Sequence, residues 1–150
     1  MKFFRVQFLI LTFLIPIISC QTNSIENSLE GAWSTKMYTL KDGGQHVVKG
    51  HIFFTEKDWT VLFFVMDDED KPQRGSAEGG TYLLIGDSLE FKHHYNLSAG
   101  NAIGDLAQSP LRMEIRSAAE ASQEKCLIKI EQNQLSIYFP SGNSMTFLKT

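Results

Sequence analysis

Only two cysteines, Cys20 and Cys126, occur in the 150 residues. They allow one disulfide at most, and none if Cys20 is acylated, so the body of the chain must then be held together by its core. Clustered positive charge is missing too. The net charge is −3, with no basic stripe, which excludes nucleic acid as a partner. No long stretch carries apolar residues at helical spacing. The P-loop, the nucleophile elbow and the zinc-binding helix motif are absent. His93 and His94 are adjacent, so on a strand they face opposite ways and cannot hold one metal together. Asp67, Asp68, Glu69 and Asp70 lack the spacing and the glycine of a calcium loop. Cys126 has no Cys-x-x-Cys partner and reads as a buried thiol. No catalytic residue, metal site or cofactor is expected from these residues, and the chain does not read as an enzyme.

What is present begins at the N-terminus. Lys2 and Arg5 precede an apolar run from Val6 to Ile18. A basic head before a short apolar run is the pattern of a secretory signal. The run is too short for a comfortable transmembrane helix, which needs ~20 apolar residues. Pro16 favours an extended cleavage region over a continuing helix. Ile17-Ile18-Ser19-Cys20 then resembles the lipobox of bacterial lipoproteins, in which a thiol receives the diacylglyceryl group and becomes the new N-terminus. The resemblance implies a signal peptide over 1–19, lipid on Cys20 and a polar tether over 20–28. It also implies attachment to the bacterial cell envelope through the N-terminal lipid. Gln21 after the cysteine points to the outer membrane under the enterobacterial sorting rule. The alternative is an ordinary secretory signal, with Cys20 left to pair with Cys126. Loss of Lys2 and Arg5 with the leader would make the mature chain more acidic than the whole.

From Leu29 to the C-terminus the chain reads as strand after strand. The segments are 31–40, 46–54, 59–66, 81–85, 88–95, 111–117, 126–131, 134–139 and 144–148. They are rich in aromatic and β-branched residues and bounded by turn signals such as Asp42-Gly43-Gly44 and Gly86-Asp87. Alternation places Leu89, Phe91, His93 and Tyr95 on one face, and sets Leu111, Met113 and Ile115 against Arg112, Glu114 and Arg116. A sheet with one buried face requires this period of two. The stretches 67–80 and 97–110 read as long loops, and 117–125 as a helical turn or a polar loop. Eight to nine successive antiparallel strands with short links favour an all-β, up-and-down barrel over a sandwich, since closure removes exposed edges.

Gly31-Ala32-Trp33 is similar to the Gly-x-Trp that opens the lipocalin and lipocalin-like families. In those families the tryptophan closes one end of the barrel beneath a basic side chain from the last strand. The resemblance assigns that closure to Gly31, Trp33 and Lys149, with lysine where the families usually carry arginine. Gly79-Gly80-Thr81-Tyr82, Gly86-Asp87-Ser88-Leu89 and the closing stretch from Asn133 to Asn143 resemble the bacterial lipocalin-like domains. The resemblance covers 29–150.

Two functions follow. A barrel of about eight strands holds one small ligand or fills itself with side chains. Polar groups on its apolar inner face would mark a small hydrophobic or amphipathic ligand, so Phe91, His93 and Tyr95 are candidates. Lys49 and His51 join them if Val47 and Phe53 face inward. The opposite register puts Val48, Ile52 and Phe54 inside and sends Lys49 and His51 to solvent. The second function is an interaction or inhibitor module with an envelope protein as partner. The acidic stretch Asp67–Asp70 and the loop 97–110 would carry it.

Overall fold

A computed structural model of the chain describes residues 29–104 and 106–150. The leader, Cys20 and the tether lie outside the described residues. The described residues form nine strands: β1 (Gly31–Thr39), β2 (Gln45–Phe54), β3 (Asp58–Met66), β4 (Pro72–Ile85), β5 (Ser88–Gly100), β6 (Ser109–Ile115), β7 (Ser122–Glu131), β8 (Gln134–Tyr138) and β9 (Ser144–Lys149). Every pairing is antiparallel, and eight strands close in the order β1-β2-β3-β4-β5-β7-β8-β9, with β9 returning to β1. This is the all-β, up-and-down barrel expected from the sequence, with β6 as an extra strand.

β5 is long enough to serve two strands along one edge. Its first half pairs with β7, from Ser88↔Leu127 to His93↔Ser122. Its second half pairs with β6, from Tyr95↔Ile115 to Gly100↔Ser109. β6 and β7 therefore run one after the other in the same direction, separated by a turn over 116–121. Pairing of β7 with β8 starts only at Leu127. Above that level neither β6 nor the start of β7 has a strand on its far edge among the described residues. The barrel is closed at its lower end and has an open seam above.

The lower end is filled. Trp33, Leu89, Cys126, Leu135, Ile137 and Phe147 are all buried there. Burial alternates along β2, with Val48, Ile52 and Phe54 inside and Val47, Lys49, His51 and Phe53 outside. Gly50 makes this register possible. Its φ is +150°, and a Cβ there would lie 2.0 Å from the Leu62 carbonyl oxygen, so only glycine fits where β2 crosses β3. The buried Thr35 hydroxyl is satisfied beside it by the carbonyls of Val48 and Gly50, each 3.1 Å away.

Of the two stretches read as loops, 67–80 is largely strand and 97–110 is strand at both ends. β4 takes in 72–80, and β5 runs on to Gly100. Glycines and polar side chains over 73–80 hide the strand, because here the inward positions are polar: Ser76 is buried and Glu78 lines the interior. β6 also departs from the usual sense. Its apolar residues Leu111, Met113 and Ile115 are exposed, and Arg112, Glu114 and Arg116 line the seam. The stretch after β6 is a turn, with the Glu120 N–H donating to the Ser117 carbonyl 3.0 Å away.

The acidic stretch 67–70 is a tight turn organised by its own side chains. The Asp67 carboxylate accepts from the N–H groups of Glu69 and Lys71, both at 2.9 Å, and from Gln73 at 2.6 Å. Asp70 pairs with Lys49, and Glu69 with Lys71, each at 2.5 Å.

Candidate functional site

Above the filled end lies a cavity of about 210 Å³. Rings from three strands and a turn line it: Tyr38, Trp59, Phe63, Phe91 and Phe139. Two β-bulges aim these side chains. In β1 the register shifts between Thr35 and Met37 on the β9 side, so Tyr38 takes the inward position after Thr35. In β5 it shifts at His94, where Gly79 pairs with Tyr95 but Gly80 pairs with His93. The extra residue reverses the alternation.

That bulge corrects one sequence expectation. Phe91 and His93 face the cavity, but Tyr95 does not. It lies on the outer surface, 46% exposed, beside Asp58, Thr81 and His94. Asn96 and Ser98 take the inward positions beyond it. Lys49 and His51 are corrected as well. Both lie on the outer face, because Val48 and Ile52 occupy the interior. His51 stacks on Phe53 there, with ring centroids 5.9 Å apart.

One wall of the aromatic cavity carries three ionisable groups. His93 Nδ1 lies 2.9 Å from Glu78 Oε2, and His93 Nε2 lies 3.7 Å from Glu124 Oε2. The Ser76 hydroxyl donates to Glu78 Oε1 at 2.5 Å. The Trp59 ring meets the His93 ring edge-on, at 5.0 Å and 85°, and packs on Phe91 at 4.3 Å. Burial disfavours the imidazolium, but hydrogen bonds to Glu124 and Glu78 outweigh it and push His93 up to about 9. Burial likewise opposes the Glu78 carboxylate. The His93 and Ser76 hydrogen bonds nonetheless hold its pKa below the usual carboxylate range. At neutral pH an imidazolium thus stands between two carboxylates.

Glu78, His93 and Glu124 also border a second space, of about 490 Å³, at the open seam. Arg112, Glu114, Arg116 and Ser122 form its other walls. Arg116 pairs with Glu114 and donates to the Ser122 hydroxyl at 3.2 Å. The site is an aromatic chamber, a charged threshold and a polar vestibule. Glu78 and Glu124 escaped sequence reasoning because they lie in stretches that read as loop. The signal for Glu78 was its separation by two from Ser76, the spacing of one strand face.

The closure residues form one unit at the other end. The Trp33 indole N–H donates to the Leu29 carbonyl at 2.7 Å, and Lys149 Nζ sits 4.3 Å from the ring centroid. The same ammonium donates to the Glu30 carbonyl. Gly31, at φ +108°, leaves room for it, since a Cβ there would lie 3.4 Å from Nζ. Lysine thus makes a cation–π contact without arginine's planar fork.

Cys126 is buried beneath the site. Burial, then the nearby Glu124 charge, pushes its thiol up to about 12. Among the described residues no group of His, Cys, Asp and Glu is placed to hold a metal.

No family model matches the sequence, and no curated protein matches it. Among solved structures the chain is similar to a lipocalin-like protein from Bacteroides uniformis ATCC 8492, at 12% identity and a TM-score of 0.49. That alignment covers 81% of this chain and 98% of the other. The eight-stranded up-and-down barrel described above rests on the strand order and closure of this chain itself.

Proposed function

We propose that the protein is a lipid-anchored binding protein of the bacterial cell envelope, most naturally of the outer membrane. Its barrel takes up one small amphipathic molecule through the open seam. The observation that carries this reading is the charged threshold on the wall of an aromatic chamber. Side chains that merely filled the barrel would have no use for a half-buried imidazolium and two carboxylates, because taking charge out of water is costly.

The threshold also selects the ligand's head. Both His93 nitrogens face carboxylates, and Ser76 occupies Glu78 Oε1. Glu124 is held only through the long contact to His93, so what the threshold offers an incomer is acceptor oxygen. Two carboxylates against one imidazolium leave a negative charge in excess. A protonated amine or quaternary ammonium therefore suits the threshold, with its apolar body among Trp59, Phe63 and Phe91. Binding and not catalysis is further supported by a His93 whose pKa its carboxylate partners raise to about 9, and by a buried thiol pushed up to about 12.

The test uses the barrel from Leu29 onward, which contains the nine strands and the core of the described residues. An alkylamine and a fatty acid of equal chain length are titrated against it and followed by Trp59 emission. The amine is expected to bind at least about tenfold more tightly, and Glu124→Gln to remove most of that preference. Equal or tighter binding of the fatty acid overturns the choice of head. Binding of neither, together with a bare barrel in native mass spectrometry, overturns ligand binding.

The anchor has its own test. In cells fed an alkyne-tagged fatty acid, the wild-type chain and Cys126→Ala are expected to take up label, and Cys20→Ala to take up none. Label retained by Cys20→Ala would sink the assignment of Cys20.

A further inference from the structure

Among the described residues β6 is the one strand outside the closed ring, and it pairs there with β5 alone. Its outward residues are strongly exposed: Leu111 at 64%, Met113 at 74% and Ile115 at 92%. The backbone beside them is equally unused. The Arg116 N–H donates to the His94 carbonyl at 2.6 Å, which makes His94 and Arg116 a hydrogen-bonded pair. Such pairs alternate along an antiparallel ladder. Asn96/Glu114 and Ser98/Arg112 are then hydrogen-bonded, and the N–H and C=O groups of Met113 and Ile115 point away from β5, up to the register shift beyond Ser98/Arg112. This is an edge with two outward N–H groups and two outward C=O groups, at Met113 and Ile115, and three bare apolar side chains on one outer face.

We infer that β6 pairs with β6 of a second copy of this chain, antiparallel, about a two-fold axis at Met113. Charge selects both the occupant and the register. With the axis at Met113, Arg112 of each copy stands opposite Glu114 of the other, in the closer, non-hydrogen-bonded kind of pair. Leu111 lies beside Ile115 of the second copy, and Met113 beside Met113. The neighbouring registers that keep the outward groups matched put Arg112 on Arg112 or Glu114 on Glu114, and like charges directly opposite are repulsive. A foreign strand would have to reproduce this pattern, whereas a second copy supplies it by symmetry. Pro110 at one end and the turn after Arg116 at the other keep the edge short and the pairing finite. Arg112 and Glu114 also line the vestibule, so the second copy would sit at the mouth of the binding site.

The register is read by oxidative cross-linking of variants of the full-length chain that each carry one added cysteine, in membranes, with the wild type and its two native cysteines as the background. Met113→Cys is expected to give a disulfide-linked dimer, since Cα atoms of a hydrogen-bonded pair lie about 5.5 Å apart, within disulfide reach. Leu111→Cys alone should give little, and Leu111→Cys mixed with Ile115→Cys should give the mixed dimer. Adding Arg112→Glu to Met113→Cys should cut its cross-linking at least fivefold. Adding Glu114→Arg as well should restore it. Because these side chains are exposed, native tryptophan emission is expected in every variant and is checked in each. No cross-link at 113 in a folded chain, equal cross-linking at 111, 113 and 115, or no rescue by the charge exchange overturns the inference.

Discussion

A Trp33→Ala variant is expected to lose about 4 kcal/mol of stability, the range for truncating a fully buried tryptophan. Trp33 is 1% exposed, so its ring is taken entirely out of water, in one buried cluster with Phe147 and Leu135. The change also strands the Leu29 carbonyl, which accepts from the indole, and removes the face on which Lys149 rests. Single domains are stable by only about 5–15 kcal/mol, so the variant should be close to unfolding at 37 °C. Trp33→Phe keeps most of the ring and loses the N–H, so roughly 1–2 kcal/mol is expected. Urea unfolding of the barrel from Leu29 onward measures both. A midpoint unchanged in Trp33→Ala would mean that the lower end is not what holds the barrel shut.

The closing end was legible in the sequence because its signals are local. A glycine and a tryptophan two residues apart open β1, and a lysine near the last residue of β9 lands on that ring. Strand number was legible for the same reason: turn residues punctuate the chain. The binding site was not, because it depends on departures from period two. A single extra residue at His94 carries Tyr95 from the interior to the surface, and nothing in the run His93-His94-Tyr95 announces it. In β2 both registers bury apolar residues, and the choice falls to a close backbone crossing at Gly50. Glu78 and Glu124 stand on strand faces whose polarity is reversed where the wall borders the seam. Local pattern reports burial, so it misreads a strand whose inner face is polar for the sake of a site.

Stability is expected to peak between about pH 4.5 and 6.5 and to fall by about 2–3 kcal/mol between pH 6 and pH 9. His93 titrates at 6.5 when unperturbed and at about 9 in the fold, so folding is favoured by its proton. That contribution is complete below 6.5 and is lost as pH rises through 9. Glu78 has the opposite sense: its folded pKa lies below the ordinary 4.5, so its contribution is present above 4.5 and lost in acid. The two shifts describe one contact and are counted once. Cys126, at about 12 against an ordinary 9, erodes stability only above pH 9 and stays outside the window. Urea unfolding at pH 6 and pH 9 measures the loss in the wild type, and His93→Gln should flatten it. A wild type equally stable at both values would show that His93 is not held as a cation. The same titration changes the site. When His93 loses its proton, the excess at the threshold rises from one negative charge to two. A quaternary ammonium probe, which does not titrate, should therefore bind more tightly at pH 9 than at pH 6 even as the barrel weakens, and His93→Gln should abolish that difference.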